Sequence, residues 1–184
     1  MDICIVEATL DDDELLSALA VQTYTAAFGH SVSAADLAAH LMSNLTPERF
    51  RKMLREDVFL LAQLEGETVG FVQFGDAHID DSNLSEPLQI DLGDKEIRRL
   101  YVSAAFQSCG VGSKLMDAAL TSLAGKTVSL DVWEDNAGAI RFYKRYGFER
   151  VGARAFRAAS GETTGLDLIL VRRSQSRDWK MSAA

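Results

Sequence analysis

Apolar positions along this chain recur with two periods, and their order predicts the architecture before any single residue is weighed. Residues 3–7 alternate as a short opening strand. The acidic run Asp11-Asp12-Asp13-Glu14 then heads a segment in which Leu15, Leu16, Leu19 and Ala20 recur at helical spacing. Those acids read as a helix start, placed against the positive end of the helix dipole. A second helix is predicted over 34–42. Thr46-Pro47-Glu48 reads as an N-cap with proline in the first helical position of a third, ending near Arg55.

The rhythm then changes. Residues 58–64 and 68–74 are rich in β-forming side chains, and Glu65-Gly66-Glu67 between them has the composition of a tight hairpin connection. A polar, irregular stretch over 76–86 precedes a strand predicted over 89–102 and interrupted at Gly93-Asp94. Next comes a helix with Leu115, Met116, Ala119, Leu120 and Leu123 on one face, then a strand over 127–133. A helix over 136–146 stops at Gly147, a residue suited to a left-handed C-cap. Strands over 148–156 and 163–171, with 159–162 as their turn, close the pattern. The sequence thus describes a single α/β domain over 1–173 and a polar, loosely held tail over 174–184, whose Trp179 is available to dock on a partner subunit.

Composition narrows the class. A chain of 184 residues with 47% hydrophobic positions buries one core well and two poorly. Its 19 lysines and arginines against 27 acids give a formal charge of -8, which disfavours nucleic acid and anionic membrane surfaces and suits cationic small molecules. Cys4 and Cys109 are far apart and outside any metal-ligand spacing, as are His30, His40 and His78, so neither a disulfide framework nor a metal site is expected. No run has the length to span a bilayer, and the start has no basic region followed by an apolar stretch, so a cytoplasmic protein is expected.

The chemistry concentrates in Gln107-Ser108-Cys109-Gly110-Val111-Gly112, between a strand and a helix. Closely spaced glycines let the backbone turn sharply and bring successive N–H groups to a ligand, and the following helix adds its positive end, a combination suited to phosphate. A turn without a ligand uses the same residues. The Q-x-x-G-x-G pattern, together with Asn136-Ala137-Gly138-Ala139-Ile140-Arg141-Phe142-Tyr143-Lys144-Arg145-Tyr146-Gly147-Phe148, resembles the GNAT superfamily of acyl-coenzyme A-dependent N-acyltransferases. The resemblance implies a central mixed, mostly antiparallel sheet of six to seven strands, flanked by helices and splayed at the acyl-CoA site. The motif matches concentrate in 96–148, and the N-terminal helices match only in pattern.

By that resemblance, the backbone of Ser108, Cys109, Gly110, Val111, Gly112 and Ser113 would hold the coenzyme A pyrophosphate, with Gln107 where the family has glutamine or arginine. Lys114 would add charge there or be simply solvated. Tyr101 and Val102 match positions whose main chain pairs with the pantetheine arm. Asn136 matches an asparagine that contacts pantetheine, though its capping role alone would account for it. Tyr143 matches the tyrosine that protonates the leaving thiolate, while Phe142 and Tyr146 are read as packing residues. Glu96 is the candidate general base, directly or through water, with a surface ion pair to Arg98 or Arg99 as the alternative and Asp91 and Asp94 as substitutes. Cys109, at the pyrophosphate end, is read as a backbone element and not a nucleophile, which favours direct transfer in a ternary complex.

The resemblance is nearest to bacterial polyamine-type enzymes such as spermidine acetyltransferases. It implies acetyl-CoA as donor, a small-molecule amine as acceptor and no metal, and it is compatible with a homodimer. Asp76, Asp80, Asp81 and Glu86 would draw in a polycation or form an ordinary polar loop, and Tyr24 and Phe28 would line the acceptor cleft or belong to the core. A protein N-terminal or lysine acceptor, and a non-catalytic acyl-CoA-binding regulatory module, stay open. A nucleotide-binding domain is disfavoured by the absence of an acidic ribose position or a Lys-Ser/Thr pair after the glycines.

Overall fold

The structure is a computed structural model and describes residues 2–30, 32–78, 94–157 and 163–174. The strands are β1 (Ile3–Glu7), β2 (Val58–Leu64), β3 (Glu67–Asp76), β4 (Lys95–Val102), β5 (Val128–Trp133), β6 (Glu149–Arg157) and β7 (Thr163–Arg172); the helices are α1 (Asp13–Phe28), α2 (Ala34–Asn44), α3 (Pro47–Glu56), α4 (Val111–Ser122) and α5 (Ala137–Arg145). They form one seven-stranded sheet of order β1-β2-β3-β4-β5-β7-β6. Every neighbouring pair is antiparallel except β4 and β5. A mixed, mostly antiparallel sheet with helices on both faces is therefore the fold class, as expected.

Local chemistry sets the boundaries. Thr46 caps α3 by accepting from the Arg49 N–H at 3.4 Å, with Pro47 in the first turn. The acids near residue 12 divide differently from expectation. Asp11 and Asp12 belong to a short 3₁₀ turn in which Thr9 and Asp12 cap each other, and the helix proper begins at Asp13. Asp13 accepts from Arg51 Nε of α3 at 2.6 Å, so one of the acids also ties two helices together. Residues 89–93 of the predicted fourth strand, the turn at 159–162, the end of the tail with Trp179, and Asp80, Asp81, Glu86 and Asp91 lie outside the described residues.

Each face of the sheet has its own core. On one, Leu115, Met116 and Ala119 of α4 and Tyr143 of α5 pack on Val72, Phe74, Ile97, Leu130 and Leu168. On the other, Leu16 and Leu19 of α1 and Phe50 of α3 pack on Phe59, Leu61 and Phe71. Phe50, Phe59 and Phe71 form a triad with ring centroids 5.9–6.1 Å apart, each ring at most 1% exposed. Truncating one such buried ring costs about 3–5 kcal/mol, so this cluster fixes α1 and α3 on the sheet. Helix α2 has no buried residue and rests on the rest through partly buried Leu41. Among the described residues no helix is long and apolar enough to cross a membrane.

Candidate active site

The sheet opens between β4 and β5. Their parallel ladder holds only at Lys95↔Val128, Glu96↔Ser129 and Ile97↔Leu130, although both strands continue beyond it. The opening starts beside a bulge. Gln73 pairs with Arg99 and the next residue, Phe74, with Ile97, which leaves Arg98 as an extra residue on β4. Beyond it, Leu100 and Val102 turn toward the α4 core and Tyr101 toward the α1 core. From Arg98 onward, the β5-facing edge of β4 has no partner strand, so its main-chain groups are available to an extended ligand.

At the end of β4 the chain reverses through a 3₁₀ turn, Ala104–Phe106, into the glycine segment. Gly110 sits at φ +85° and Ser108 at φ +61°, both in the left-handed region. These dihedrals aim the turn into the start of α4. Gly110, the N-cap, supplies no side-chain cap, so the first N–H groups of α4 await an acceptor, and Val111 alone of the turn is buried. A Cβ at Gly112 would meet Leu100, Val102 and Phe142 only at 3.8 Å, so Gly112 lies between the free end of β4 and α5 with room to spare. Gln107 donates from Nε2 to the Val102 carbonyl at 3.4 Å, Cys109 is a free, exposed thiol, and Lys114 is exposed. An uncapped helix start following left-handed residues is an anion cradle, and it opens onto the splay.

Helix α5 closes the same side. Asn136 caps it, with Oδ1 accepting from the Ala139 N–H at 3.0 Å. Phe142 and Tyr146 pack on the core from partly buried positions, and Tyr146 donates to the Ser113 carbonyl at 3.3 Å, joining α5 to the cradle. Tyr143 is the most deeply buried of the three, 8% exposed, between the rings of Phe142 and Phe148. Burial raises its phenol well above the ordinary tyrosine range, and the neighbouring Tyr101 phenol adds to the effect. Tyr143 thus keeps its proton until a strong base is presented to it.

Tyr101 also reaches the other face. Its own phenol is raised by burial and partly lowered by Arg99. Tyr24 of α1 is pushed up to about 12 by burial, with Tyr101 and Asp167 of β7 as further causes. Tyr101 of β4 thus raises both the Tyr143 phenol of α5 and the Tyr24 phenol of α1. Tyr24 stacks on His40 of α2 at 4.2 Å and 9° and meets the tilted ring of Phe28 at 4.8 Å and 43°. Burial, and secondarily Arg99, lowers the His40 pKa.

Glu96 lies on this second face, in the paired part of β4, with its side chain 14% exposed. Its Oε2 accepts from Arg98 Nη1 at 2.7 Å and from the His78 N–H at 3.2 Å. Both bonds fall on one oxygen. Arg98 also donates to Asp57 Oδ2 at 2.9 Å and to the Asp76 carbonyl at 2.7 Å; Gln73, fully buried, donates to Asp57 at 2.6 Å and accepts from Arg99 at 2.5 Å. A Cβ at Gly75 would overlap the Asp57 carboxylate, so that glycine makes room for the network. The Asp76 side chain is paired with Lys95, and burial is not what holds it there.

Sequence reasoning missed Asp57, Gln73, His40 and Asp167. Asp57, Gln73 and Asp167 had a signal, polar residues inside or just before apolar strands. Among the described residues no group of His, Cys, Asp and Glu could hold a metal ion.

Comparison with known proteins agrees with this geometry. Residues 22–148 match the family described as Acetyltransferase (GNAT) family. An uncharacterized N-acetyltransferase of Mycobacterium tuberculosis is 27% identical over 168 residues, covering 89% of this chain and 98% of that protein. The spermine/spermidine N(1)-acetyltransferase of Bacillus subtilis is 31% identical over 97 residues, 50% of this chain and 59% of that protein. In fold, the chain is similar to the PaiA N-acetyltransferase of Thermoplasma acidophilum, crystallised in complex with coenzyme A: the TM-score is 0.70 at 18% identity, covering 94% of this chain and 99% of that one.

Proposed function

Since the chain belongs to the acetyltransferase (GNAT) family and is an acetyl-CoA-dependent N-acetyltransferase, we propose that it moves acetyl to a primary amine of a small cationic acceptor, such as a polyamine, by direct transfer in a ternary complex. The observation that carries the reading is the splay itself: β4 and β5 part after Ile97, with the uncapped start of α4 and Tyr143 on one face of the sheet and Tyr24 and Glu96 on the other. When bound, acetyl-CoA supplies an activated thioester and a thiolate leaving group. The residues fit it: the uncapped N–H groups after Gly110 suit its pyrophosphate, and the unpaired edge of β4 at Tyr101 and Val102 suits its extended arm.

In this reading Tyr143 donates a proton at its phenolic oxygen to the departing sulfur, a role supported by its burial and its retained proton. Glu96 receives the amine proton, directly or through water, at Oε1, because Arg98 and the His78 N–H both occupy Oε2. Asn136 caps the start of α5, the helix that carries Tyr143. The charge of -8 and the partial likeness to a spermine/spermidine acetyltransferase support a cationic acceptor. A cytoplasmic location belongs to the same reading and is supported by two free, exposed thiols.

The test is thiol release from acetyl-CoA with spermidine, spermine, short diamines, amino acids and peptides as acceptors. Release that depends on di- or polyamines is the expected result. Release only with peptides would move the acceptor to protein amines, and tight coenzyme binding without release for any amine would make the protein a regulatory acyl-CoA-binding module.

A further inference from the structure

Asp167 is a carboxylate whose surroundings leave its charge underused. It lies in β7 between Trp133 of β5 and Arg154 of β6 in the ladder. Leu168 and Leu170 belong to the α4 core, so Asp167 projects from the opposite face, the face of Tyr24, Tyr101 and Glu96. The cation nearest in register, Arg154, is ion-paired with Asp131, two positions before Trp133 on β5 and so on the same face of the sheet. Among the described residues no group donates a hydrogen bond to Asp167. Two carboxylates thus share one guanidinium, and the one next to the opening lacks the direct contact.

We propose that Asp167 anchors a second, non-reacting ammonium of the acceptor, which makes the acceptor a diamine or polyamine and not a monoamine. This rests on the transferase reading above. The choice of nitrogen follows from charge. An amine must be neutral to attack a thioester, and Glu96 already has the base role toward the reacting nitrogen; a second carboxylate is matched to a nitrogen that stays charged. Tyr24 from α1 and Tyr101 from β4 are uncharged at neutral pH and supply the aromatic, partly desolvated wall on which an ammonium is well held. Burial raises the Asp167 carboxyl and the more distant Arg154 only partly offsets it, as expected of a charge still short of a partner.

The isosteric variant Asp167→Asn removes the charge and keeps the shape. With 1,4-diaminobutane as acceptor its KM should rise about 10-fold, which corresponds to about 1.4 kcal/mol, while kcat, the KM for acetyl-CoA and the KM for butylamine stay within about twofold; Asp167→Glu should recover part of the loss. Equal changes for the diamine and the monoamine, or a fall in kcat with both, would overturn the anchor in favour of a packing or base role. Binding of 1,4-diaminobutane to the protein saturated with coenzyme A, measured by calorimetry, separates this idea from the transferase reading because no turnover is needed. Weaker binding to Asp167→Asn supports the anchor even if no amine is acetylated; equal binding to both proteins refutes it even if acetylation proceeds.

Discussion

The donor side and the acceptor side of the site are built from different materials. On the donor side, the free edge of β4, the left-handed Ser108 and Gly110, and the uncapped start of α4 offer main-chain groups. On the proposed acceptor side, Tyr24, Glu96, Tyr101 and Asp167 come from α1, β4 and β7 and would act through side chains. The donor carries the same coenzyme A in every turnover, and a backbone cradle tolerates any sequence with the right dihedrals. An acceptor is selected by charge and shape, which only side chains carry. The two halves should therefore respond to substitution in opposite ways.

The largest effect is expected at Gly112. A Cβ fits there, so Gly112→Glu should fold, yet its carboxylate would stand where the pyrophosphate is to bind. Coenzyme A affinity should drop at least about 1,000-fold, about 4 kcal/mol, by calorimetry, with thermal stability little altered; retained affinity would break the donor half of the comparison. Asp57→Ala attacks the acceptor face through stability. It takes one partner from Arg98, 19% exposed, and one from the buried Gln73, a loss of about 3 kcal/mol in urea denaturation, as for other broken buried pairs. Coenzyme affinity of the folded fraction should be unchanged.

Tyr143→Phe should come next, lowering kcat about 100-fold, about 2.7 kcal/mol, with the coenzyme Kd held within twofold; an unchanged kcat would remove Tyr143 from proton transfer. The smallest effect concerns His40. Because burial depresses its pKa, the unfolded chain takes up a proton below about pH 6.5 that the folded chain resists, so stability contributed by neutral His40 is lost as pH falls through that value. Between pH 7 and 5.5 the wild type should lose about a degree more in Tm than His40→Gln, and identical pH dependence would show that the Tyr24 stack is not sensitive to this charge.

The same division governs what the chain disclosed as a sequence. The cradle was legible because a glycine's positive φ and a helix start are local, and the boundaries of β2, α3, α4 and β5 followed from alternation and capping for the same reason. Thr46-Pro47 marked its helix unaided. Tyr143 was singled out by resemblance, but its depth of burial beside Phe142 and Tyr146 was not legible, since all three share one side of a short helix. Alternation misleads within β4, where it would put Glu96 on the same face as Val102; the extra residue at Arg98 instead sets Glu96 with Tyr101. Asp167 was hidden because its meaning depends on Tyr24, Trp133 and Arg154, brought together only by the sheet order. The pairing of Asp57 with Arg98 spans 41 positions and had no local signature.

Arg98 makes the opening a matter of length. Strand β4 carries one residue more than β3 requires, and the surplus falls where β4 leaves β5. Removing that residue would leave Ile97 opposite Phe74 and Arg99 opposite Gln73, every other side chain on its present face. What would go is the local kink and added twist, and with them the reason for the two parallel strands to part. A chain one residue shorter is thus expected to fold into the same sheet with its seam closed, less stable for the Asp57 and Glu96 carboxylates left without Arg98 and with nowhere to lay a thioester.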